Sequence, residues 1–384
     1  MHLLPLAVGF LVSLVVALVL VPLVRDGARR AGWLDAPDDG RKQHAEAVPS
    51  VGGLAIVAAV GLGLFAMTRG LAMESGLVSP LVLLGALTIV AVGMWDDLQD
   101  VSARTKLVAQ LGVAGLAFAG GARIEVFDAL LGGGGLALGV SAALTVAWMV
   151  GVMNAVNLID GMDGLAAGIV AISVTGLAAI HALHGDIGAL MLAVVVIGAL
   201  LGFLRYNFAP ASVFMGDSGS LFLGYLLGAF ALRGPTHADP VLALVIPAVA
   251  VGVPVLDLFV SVLRRKLTGR ALFAADRDHI HHRLQSRMPT HRATLVLYGF
   301  AAVLAAGALL MAALPNLAAL AVFVSGSLLV YGFLCFVAYL PTPTQARAFI
   351  ERRRRPSPPA PRRTPPRGGR ISDAHLQPAS SPER

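Results

Sequence analysis

The sequence is short of charged residues and has almost no cysteine. Only 13% of its 384 residues are charged, whereas a soluble domain carries about a quarter. Hydrophobic residues make up 57%, and the mean hydropathy is +0.79. This composition excludes an ordinary soluble domain and predicts a polytopic membrane protein. The single cysteine, Cys335, lies in an apolar run, so the sequence offers neither a disulfide framework nor a thiolate metal cluster.

A basic segment before the first apolar run is also missing. The first 24 residues lack the positive start of a signal peptide, and their apolar run is too long for one, so we expect an uncleaved first span. The net charge of +7 would suggest nucleic-acid binding in a soluble protein. In a membrane protein it reflects basic cytoplasmic loops and attraction to anionic lipid. We therefore expect a membrane partner and no nucleic acid.

Long apolar runs fill most of the chain. A helix needs about 20 apolar residues to cross the hydrocarbon core of a bilayer. We predict an all-α polytopic membrane protein with about eleven transmembrane helices. They are expected at 3–24, 51–70, 78–95, 106–122, 137–157, 165–183, 187–204, 218–233, 240–263, 294–313 and 316–340.

Lysine and arginine residues are concentrated in alternate loops. The basic loops are 25–50, 96–105, 158–164, 205–217 and 264–293. The loops on the other side hold only Arg69, Arg123 and Arg233. The positive-inside rule then places the basic loops in the cytoplasm and the N-terminus outside. An odd number of spans puts the C-terminus in the cytoplasm.

The last 44 residues differ from the rest in composition. Residues 341–384 are rich in Pro, Arg and Ser and include the run Arg352-Arg353-Arg354-Arg355. Such a segment buries too little apolar surface to offset the entropy of ordering. We predict a transmembrane domain at 1–340 and a disordered cytoplasmic tail at 341–384. The tail either reinforces the topology or binds anionic lipid.

The first acidic motif, Asp96-Asp97-Leu98-Gln99-Asp100, ends the third predicted span. A carboxylate at a membrane helix centre costs roughly 2.5–3.5 kcal/mol, so acidic groups near the bilayer indicate function. Adjacent carboxylates also repel unless a divalent cation or a basic group neutralises them. Lys106 follows closely and is a candidate phosphate ligand. The alternative is a charged helix end that only stops the span.

The second motif has a three-residue spacing. Asn154, Asn157, Asp160 and Asp163 recur along what would be one stripe of a helix. Amides and carboxylates on one stripe suit hydrogen bonding to a sugar, a ribose or a base. The alternative is a polar stripe that joins membrane helices to one another.

The third motif centres on Asp217, which lies between Gly216 and Gly219 at the start of an apolar run. Asp217 is either a helix N-cap or a Mg²⁺ ligand, because Mg²⁺ takes few protein carboxylates and keeps waters or substrate phosphates. Asn207 and Phe214, just upstream, could supply a hydrogen-bonding partner and a stacking surface for a base.

The fourth motif contains three histidines in four positions, His279, His281 and His282. Zinc ligands are rarely packed this tightly, so a phosphate-binding patch with a histidine of near-neutral pKa is the better interpretation. In the first cytoplasmic loop, Lys42 precedes a Gly52-Gly53 helix start. This loop either cradles an anion or only carries positive-inside charge.

These motifs resemble those of the polyprenyl-phosphate N-acetylhexosamine-1-phosphate transferases, the glycosyltransferase family 4 type. The resemblance covers about residues 33 to 290 and includes Asp-Asp-Leu-x-Asp, Asn-x-x-Asn-Leu-x-Asp-Gly-x-Asp-Gly-Leu and Val-Phe-Met-Gly-Asp-x-Gly-Ser, in that order. The histidine block is similar to that of undecaprenyl-phosphate GlcNAc-1-phosphate transferases, which start O-antigen, teichoic acid or common-antigen synthesis. Phospho-N-acetylmuramoyl-pentapeptide transferases instead carry three consecutive histidines.

The resemblance implies an Mg²⁺-dependent phosphoglycosyltransferase, with Mn²⁺ as a substitute metal. Its donor would be a UDP-sugar, UDP-GlcNAc first, and its acceptor undecaprenyl phosphate, with UMP released. It also implies a multi-pass protein of the bacterial inner (cytoplasmic) membrane, an active site facing the cytoplasm, and a homodimer. The alternatives are the pentapeptide-sugar transferase and an ion-coupled transporter.

The resemblance also implies roles for matched residues. Asp96 is the candidate catalytic base with Asp97 beside it, and Asp217 is the metal ligand with Asp97 as a second one. Whether an aspartate forms a covalent intermediate stays open. The candidate substrate-binding residues are Lys42, Lys106, Asn154, Asn157, Asp160, Asp163, Asn207, Phe214, His279, His281 and His282.

Overall fold

The computed structural model describes residues 3–33, 48–71, 78–234, 236–268 and 279–337. Over these residues the secondary structure is helical, which confirms the all-α part of the predicted fold class. The helices are α1 (Leu3–Ala31), α2 (Gly53–Leu71), α3 (Pro80–Gln99), α4 (Ala103–Ala119), α5 (Val126–Leu131), α6 (Gly134–Ile159), α7 (Leu165–Leu183), α8 (Ile187–Asn207), α9 (Gly216–Ala231), α10 (Pro240–Ala250), α11 (Gly252–Thr268), α12 (Ile280–Gln285), α13 (Thr290–Ala313) and α14 (Asn316–Phe336). The predicted tail at 341–384 lies outside the described residues.

Seven of the described helices are long and apolar enough to cross a membrane: α1, α3, α6, α7, α8, α13 and α14. The bent pair of α10 and α11 makes an eighth candidate. The other predicted runs form α2, α4 and α9, which have 19, 17 and 16 residues. None of these three helices is both long and apolar enough to be counted as a span. Each predicted apolar run therefore overlaps a helix, and the count of eleven spans stays a prediction.

The run predicted as one span at 240–263 is broken in the structure. Its two helices, α10 and α11, meet at an angle of 91°. Pro254 has no N–H to donate to the Ala250 carbonyl, and Pro247 lies inside α10. The sequence pattern of continuous hydrophobicity did not reveal this bend.

Successive apolar helices run in alternate directions between two ends of the bundle. At one end, called the motif end, α3, α6 and α8 finish and α4, α7 and α9 begin. At the opposite end, Arg233 Nε donates to Asp186 Oδ2 at 2.8 Å. Burial alone would raise the pKa of Asp186, but hydrogen bonds from Arg233 and the Ala189 N–H hold it below its usual value. α8, with 21 residues, separates the two ends by about 30 Å.

Glycines let helices approach closely at the motif end. A Cβ at Gly53 would lie 2.2 Å from the Gly219 nitrogen, and one at Gly93 would lie 2.5 Å from Ser218 Cα. Gly216 adopts φ +71°, which other residues rarely adopt. Small residues at helix contacts are how membrane helices pack without a hydrophobic driving force. The packing places the end of α3 against the start of α9.

The substitution Gly53→Ala is expected to destabilise the protein severely, because the added methyl group meets backbone that cannot move aside. Overpacking of this kind typically costs about 1–3 kcal/mol, and a backbone contact lies at the high end. Gly61→Ala on the same helix is the control, since nothing lies within 4 Å of its Cβ position. Thermal melting in detergent measures both variants. Equal melting temperatures would contradict the packing described here.

Candidate active site

The motif end encloses a cavity of about 900 Å³. Six aspartates line it, whereas none of the described lining residues is lysine or arginine. The aspartates are Asp96, Asp97, Asp100, Asp160, Asp163 and Asp217. The other lining residues include Ser50, Asn157, Asn207, Phe214, His282, Gln285, Thr290 and His291. A cavity this acidic needs cations before it can accept an anionic ligand.

Lys106 joins the first and third motifs. Its Nζ donates to Asp217 Oδ2 at 2.7 Å and also contacts Asp96 Oδ2. Asp96 is held in turn by the Val101 N–H, which donates to its Oδ1 at 2.7 Å. The first turn of α4 therefore places one ammonium group between a carboxylate from α3 and another from α9.

Asp97 contacts the first turn of α9 through both of its oxygens. Its Oδ1 accepts from the Asp217 N–H at 2.7 Å, and its Oδ2 accepts from the Ser218 N–H at 3.0 Å. Asp97 thus caps a helix that begins 119 residues later, at Gly216. Asp217 is not the N-cap that the sequence allowed, because its own side chain is directed at Lys106 and Asn157.

The asparagines of the second motif have different partners. Asn157 Nδ2 donates to Asp217 Oδ1 and to Ser220 Oγ, both at 2.9 Å. Asn154 Nδ2 donates to Gln110 Oε1 at 2.7 Å, which joins α6 to α4. Asn157 therefore belongs to the acidic cluster. Asn154 instead joins two helices, which is the alternative that the sequence left open for this motif. Gln110 is buried and was missed, although it lies one helical turn after Lys106.

Asp160 follows the last residue of α6 and lines the cavity. Burial, together with the negative charges of Asp217 and Asp97, raises its pKa well above the usual value. A neighbouring cation would reverse part of this effect.

Asp163 and Asn207 connect loop backbone around the cavity. Asp163 Oδ2 accepts from the Ala211 N–H at 3.0 Å. Asn207 accepts from the Gly164 N–H at 3.1 Å and donates to the Val213 carbonyl at 2.9 Å. These bonds hold in place the segment that carries Phe214, whose side chain lines the cavity.

The turn at Pro49–Gly53 pairs with the same segment. The Phe214 N–H donates to the Pro49 carbonyl at 2.8 Å, and the Gly52 N–H donates to the Phe214 carbonyl at 2.9 Å. These two bonds hold residues 49–53 beside the segment that carries Phe214. Lys42, predicted to bind substrate, lies outside the described residues.

The three histidines do not share one environment. His282 lines the cavity, whereas His279 and His281 are buried behind it. Burial, together with the positive charge that His282 and His279 can carry, lowers the pKa of His281 to about 3 despite the opposing effect of Asp257. Burial therefore favours the neutral form of His281, and the prediction that one of the three histidines has a near-neutral pKa stays a prediction.

Asp257 on α11 holds the start of the histidine block and was missed by the sequence analysis. Its Oδ2 pairs with His279 Nδ1 at 3.0 Å, and its Oδ1 accepts from the Ile280 N–H at 2.9 Å. Both side chains are buried. A single aspartate in an apolar run carries no motif, and the contact spans more than 20 residues. Asp257 thereby sets the position of α12 and of His282 in the cavity wall.

We expect Asp257→Ala to lower the free energy of unfolding by about 3–5 kcal/mol, the usual result of removing one partner from a buried pair. Asp257→Asn keeps an oxygen for the Ile280 N–H, so it is expected to cost less, about 1–3 kcal/mol. Chemical denaturation in detergent measures both. A loss below 1 kcal/mol for Asp257→Ala would show that α12 is held by other contacts.

The donor set fits Mg²⁺ bound together with a substrate rather than a preformed metal cage. Within the described ranges, no three His, Cys, Asp or Glu side chains form a ready-made metal site. Asp96 and Asp217 nevertheless converge on one ammonium group, so their oxygens point to a common place for a cation. Mg²⁺ commonly takes one or two carboxylates and completes its shell with waters and substrate phosphates.

Comparisons with known proteins identify the family to which the chain belongs. Residues 79–234 match the family model described as glycosyl transferase family 4. A probable undecaprenyl-phosphate N-acetylglucosaminyl 1-phosphate transferase of Bacillus subtilis (strain 168) is 40% identical over 293 residues, which cover 76% of this chain and 80% of the relative. A decaprenyl-phosphate N-acetylglucosaminephosphotransferase of Mycobacterium tuberculosis (strain ATCC 25618 / H37Rv) is 36% identical over 314 residues, 74% of this chain and 77% of the relative. A phospho-N-acetylmuramoyl-pentapeptide-transferase of Shouchella clausii (strain KSM-K16) is 31% identical over 292 residues, 71% and 87% respectively.

Proposed function

Because the chain belongs to glycosyl transferase family 4, we propose that it transfers N-acetylglucosamine 1-phosphate from UDP-GlcNAc to undecaprenyl phosphate and releases UMP. The relatives named for GlcNAc transfer are 40% and 36% identical, whereas the pentapeptide-sugar relative is 31% identical. This difference favours GlcNAc over the pentapeptide sugar as the transferred group. The product would start a cell-envelope polysaccharide such as O-antigen or teichoic acid.

The observation that carries the proposal is the acidic cavity with Lys106 between Asp96 and Asp217. Phosphoryl transfer depends on positioning and on stabilising charge on the transferred group. A cavity lined by aspartates accepts a diphosphate only together with cations, so we propose that Mg²⁺ is required and that Mn²⁺ can replace it. When bound, the metal neutralises the donor diphosphate and the leaving UMP.

In the proposed reaction an oxygen of the lipid phosphate forms a bond to the β-phosphorus of the donor. The bond from that phosphorus to the oxygen bridging it to UMP breaks. Asp96 would take any proton left on the lipid phosphate, and Asp217 with Asp96 would hold the metal. Lys106 and His282 would contact phosphates. Asp160 and Phe214, which line the cavity, would contact the sugar or the uridine.

We also propose that the motif end faces the cytoplasm of a bacterial inner membrane. The sequence predicts the basic loops on the side of the motifs, which is the cytoplasmic side under the positive-inside rule. UDP-sugars are water-soluble and are supplied from the cytoplasm, so the cavity must open to the cytoplasm. A transporter would instead need access from both sides and charges near the midplane. The carboxylates here are at helix ends.

A cysteine placed at Gln99 is expected to react only from the cytoplasmic side, and one at Glu125, at the opposite end, only from outside. Both variants are made in a Cys335→Ser background, and both positions are exposed. Labelling with a membrane-impermeant maleimide in intact cells and in inverted vesicles measures the difference. The reverse pattern would overturn the proposed orientation.

The test of the function is an assay of purified protein in detergent with Mg²⁺, undecaprenyl phosphate and one UDP-sugar at a time. We expect UMP release and a sugar that extracts into organic solvent, both with UDP-GlcNAc and both lost on chelation of the metal. Product only with the UDP-MurNAc-pentapeptide would establish the alternative transferase. A folded protein without product from any UDP-sugar would overturn the proposal.

A further inference from the structure

Lys106 occupies the place where the proposed reaction needs a metal ion. Its ammonium group lies between two carboxylates, 2.7 Å from Asp217 Oδ2 and in contact with Asp96 Oδ2. Its side chain is only 27% exposed, and the two carboxylates are 23% and 12% exposed. This is a partly buried, charge-assisted site with the positive charge already supplied by the protein.

The ammonium group and a divalent metal compete for the same oxygens. The lone pairs that a metal would use on Asp217 Oδ2 and Asp96 Oδ2 now accept from Lys106. Two cations this close would also repel each other strongly at the effective dielectric of a protein surface. Binding of metal to these oxygens therefore requires that Lys106 leave them.

Moving Lys106 away from both carboxylates is costly unless its ammonium group gains a new partner, because a charge that is partly removed from water needs a counter-charge. The diphosphate of the donor supplies one. A lysine has a flexible four-carbon stem and a compact charge, so it can exchange a carboxylate for a phosphate by rotating its side chain. Asn157 stays on Asp217 Oδ1 and would keep that carboxylate in place during the exchange.

We propose that Lys106 is an exchangeable counter-ion, which neutralises Asp96 and Asp217 in the substrate-free protein and moves to the donor diphosphate when the metal binds. This inference rests on the proposed function for the identity of the diphosphate. The exchange makes metal and donor binding cooperative. The donor diphosphate draws Lys106 away from the carboxylates that the metal needs, and the metal frees Lys106 to bind the diphosphate. The metal alone binds weakly, and the protein does not hold a divalent ion between turnovers.

The test is the binding of Mn²⁺ to the full-length protein in detergent, followed by the electron paramagnetic resonance of free Mn²⁺. Without substrate, Lys106→Met is expected to bind Mn²⁺ about tenfold more tightly than the wild type, since the competing charge is gone. Lys106→Arg keeps the charge and is expected to bind as the wild type does. Lys266→Met, which removes an exposed lysine on α11, is the control and should change nothing.

A second measurement uses the wild type alone, so it does not depend on whether a variant folds. UDP-GlcNAc is expected to tighten Mn²⁺ binding about tenfold beyond the Mn²⁺ affinity of the free nucleotide sugar. In Lys106→Met the same addition is expected to have a much smaller effect. Unchanged or weaker Mn²⁺ binding by folded Lys106→Met would overturn the proposal, and so would no effect of UDP-GlcNAc on a wild-type protein that uses it as donor.

Failure of this inference and failure of the proposed function give different results. If Lys106 is not a counter-ion, transfer from UDP-GlcNAc still occurs while the Mn²⁺ measurements show no competition. If the protein uses another donor, Lys106→Met still tightens Mn²⁺ binding, because that measurement contains no substrate, while UDP-GlcNAc yields no product.

Discussion

Replacement of Asp217 by Asn is expected to reduce the rate of transfer about a thousandfold and to leave the fold intact. The amide keeps an oxygen for Asn157 but loses the charge that pairs with Lys106 and would hold the metal. Loss of one preorganised charge-stabilising group commonly costs 10²–10³ in rate, and a metal ligand lies at the upper end. UMP release at saturating UDP-GlcNAc and lipid measures the effect, and the Mg²⁺ concentration for half-maximal rate is expected to rise.

The matched control for this prediction is Asp26→Asn, which removes the charge of a half-exposed aspartate on α1. It should leave turnover unchanged, because Asp26 pairs with its neighbour Arg25 and does not line the cavity. Near-normal turnover by a folded Asp217→Asn variant would remove Asp217 from the metal site. Loss of turnover together with a lower melting temperature would point to a structural role instead.

The position of the acidic cluster could be predicted from the sequence because each motif ends or begins an apolar run. Alternating helices bring such ends together at one side of the bundle. Lys106 contacts both Asp96 and Asp217, and Asn157 contacts Asp217. The all-α fold class followed from the same apolar runs, because a helix satisfies the hydrogen bonds of its own backbone N–H and C=O groups inside a bilayer.

Other features depend on contacts that no local pattern contains. Gln110 and Asp257 are single polar residues in apolar runs, and their partners Asn154 and His279 lie 44 and 22 residues away. The burial of His281, which lowers its pKa, depends on tertiary packing that includes a close approach to Gly161, and the spacing of the histidines does not show it. The cap of α9 is likewise supplied by a residue of a different helix.

Removal of the Asp97 carboxylate is expected to lower both thermal stability and activity, which distinguishes Asp97 from Asp217. Asp97→Ala leaves the N–H groups of Asp217 and Ser218 without their acceptor at the buried start of α9. An unsatisfied buried donor costs about 1–3 kcal/mol, and loss of an N-cap about 0.5–2 kcal/mol. Asp97→Asn keeps one acceptor but directs an NH₂ group at an N–H donor, so it is expected to be destabilised as well.

The activity of both Asp97 variants is expected to fall about a hundredfold, because Asp217 lies in the turn that Asp97 caps. A displacement of about 1 Å at a reacting group is enough to cost this much. Melting temperature, UMP release and Mn²⁺ binding are measured on the same samples. A variant with wild-type stability and no Mn²⁺ binding would make Asp97 a direct metal ligand, as the family resemblance implies, and not mainly a cap.

The control for the Asp97 variants is Asp239→Ala, which removes a cap of the same kind at the opposite end of the bundle. Asp239 Oδ1 accepts from the Val241 and Leu242 N–H groups at 2.9 and 3.1 Å, at the start of α10. Its loss should lower the melting temperature by a similar amount and leave the rate of transfer unchanged. Activity then falls with the cap only where the capped helix carries Asp217. Equal loss of activity in Asp239→Ala would mean that transfer depends on the stability of the whole bundle, and the specific role of Asp97 would have no support.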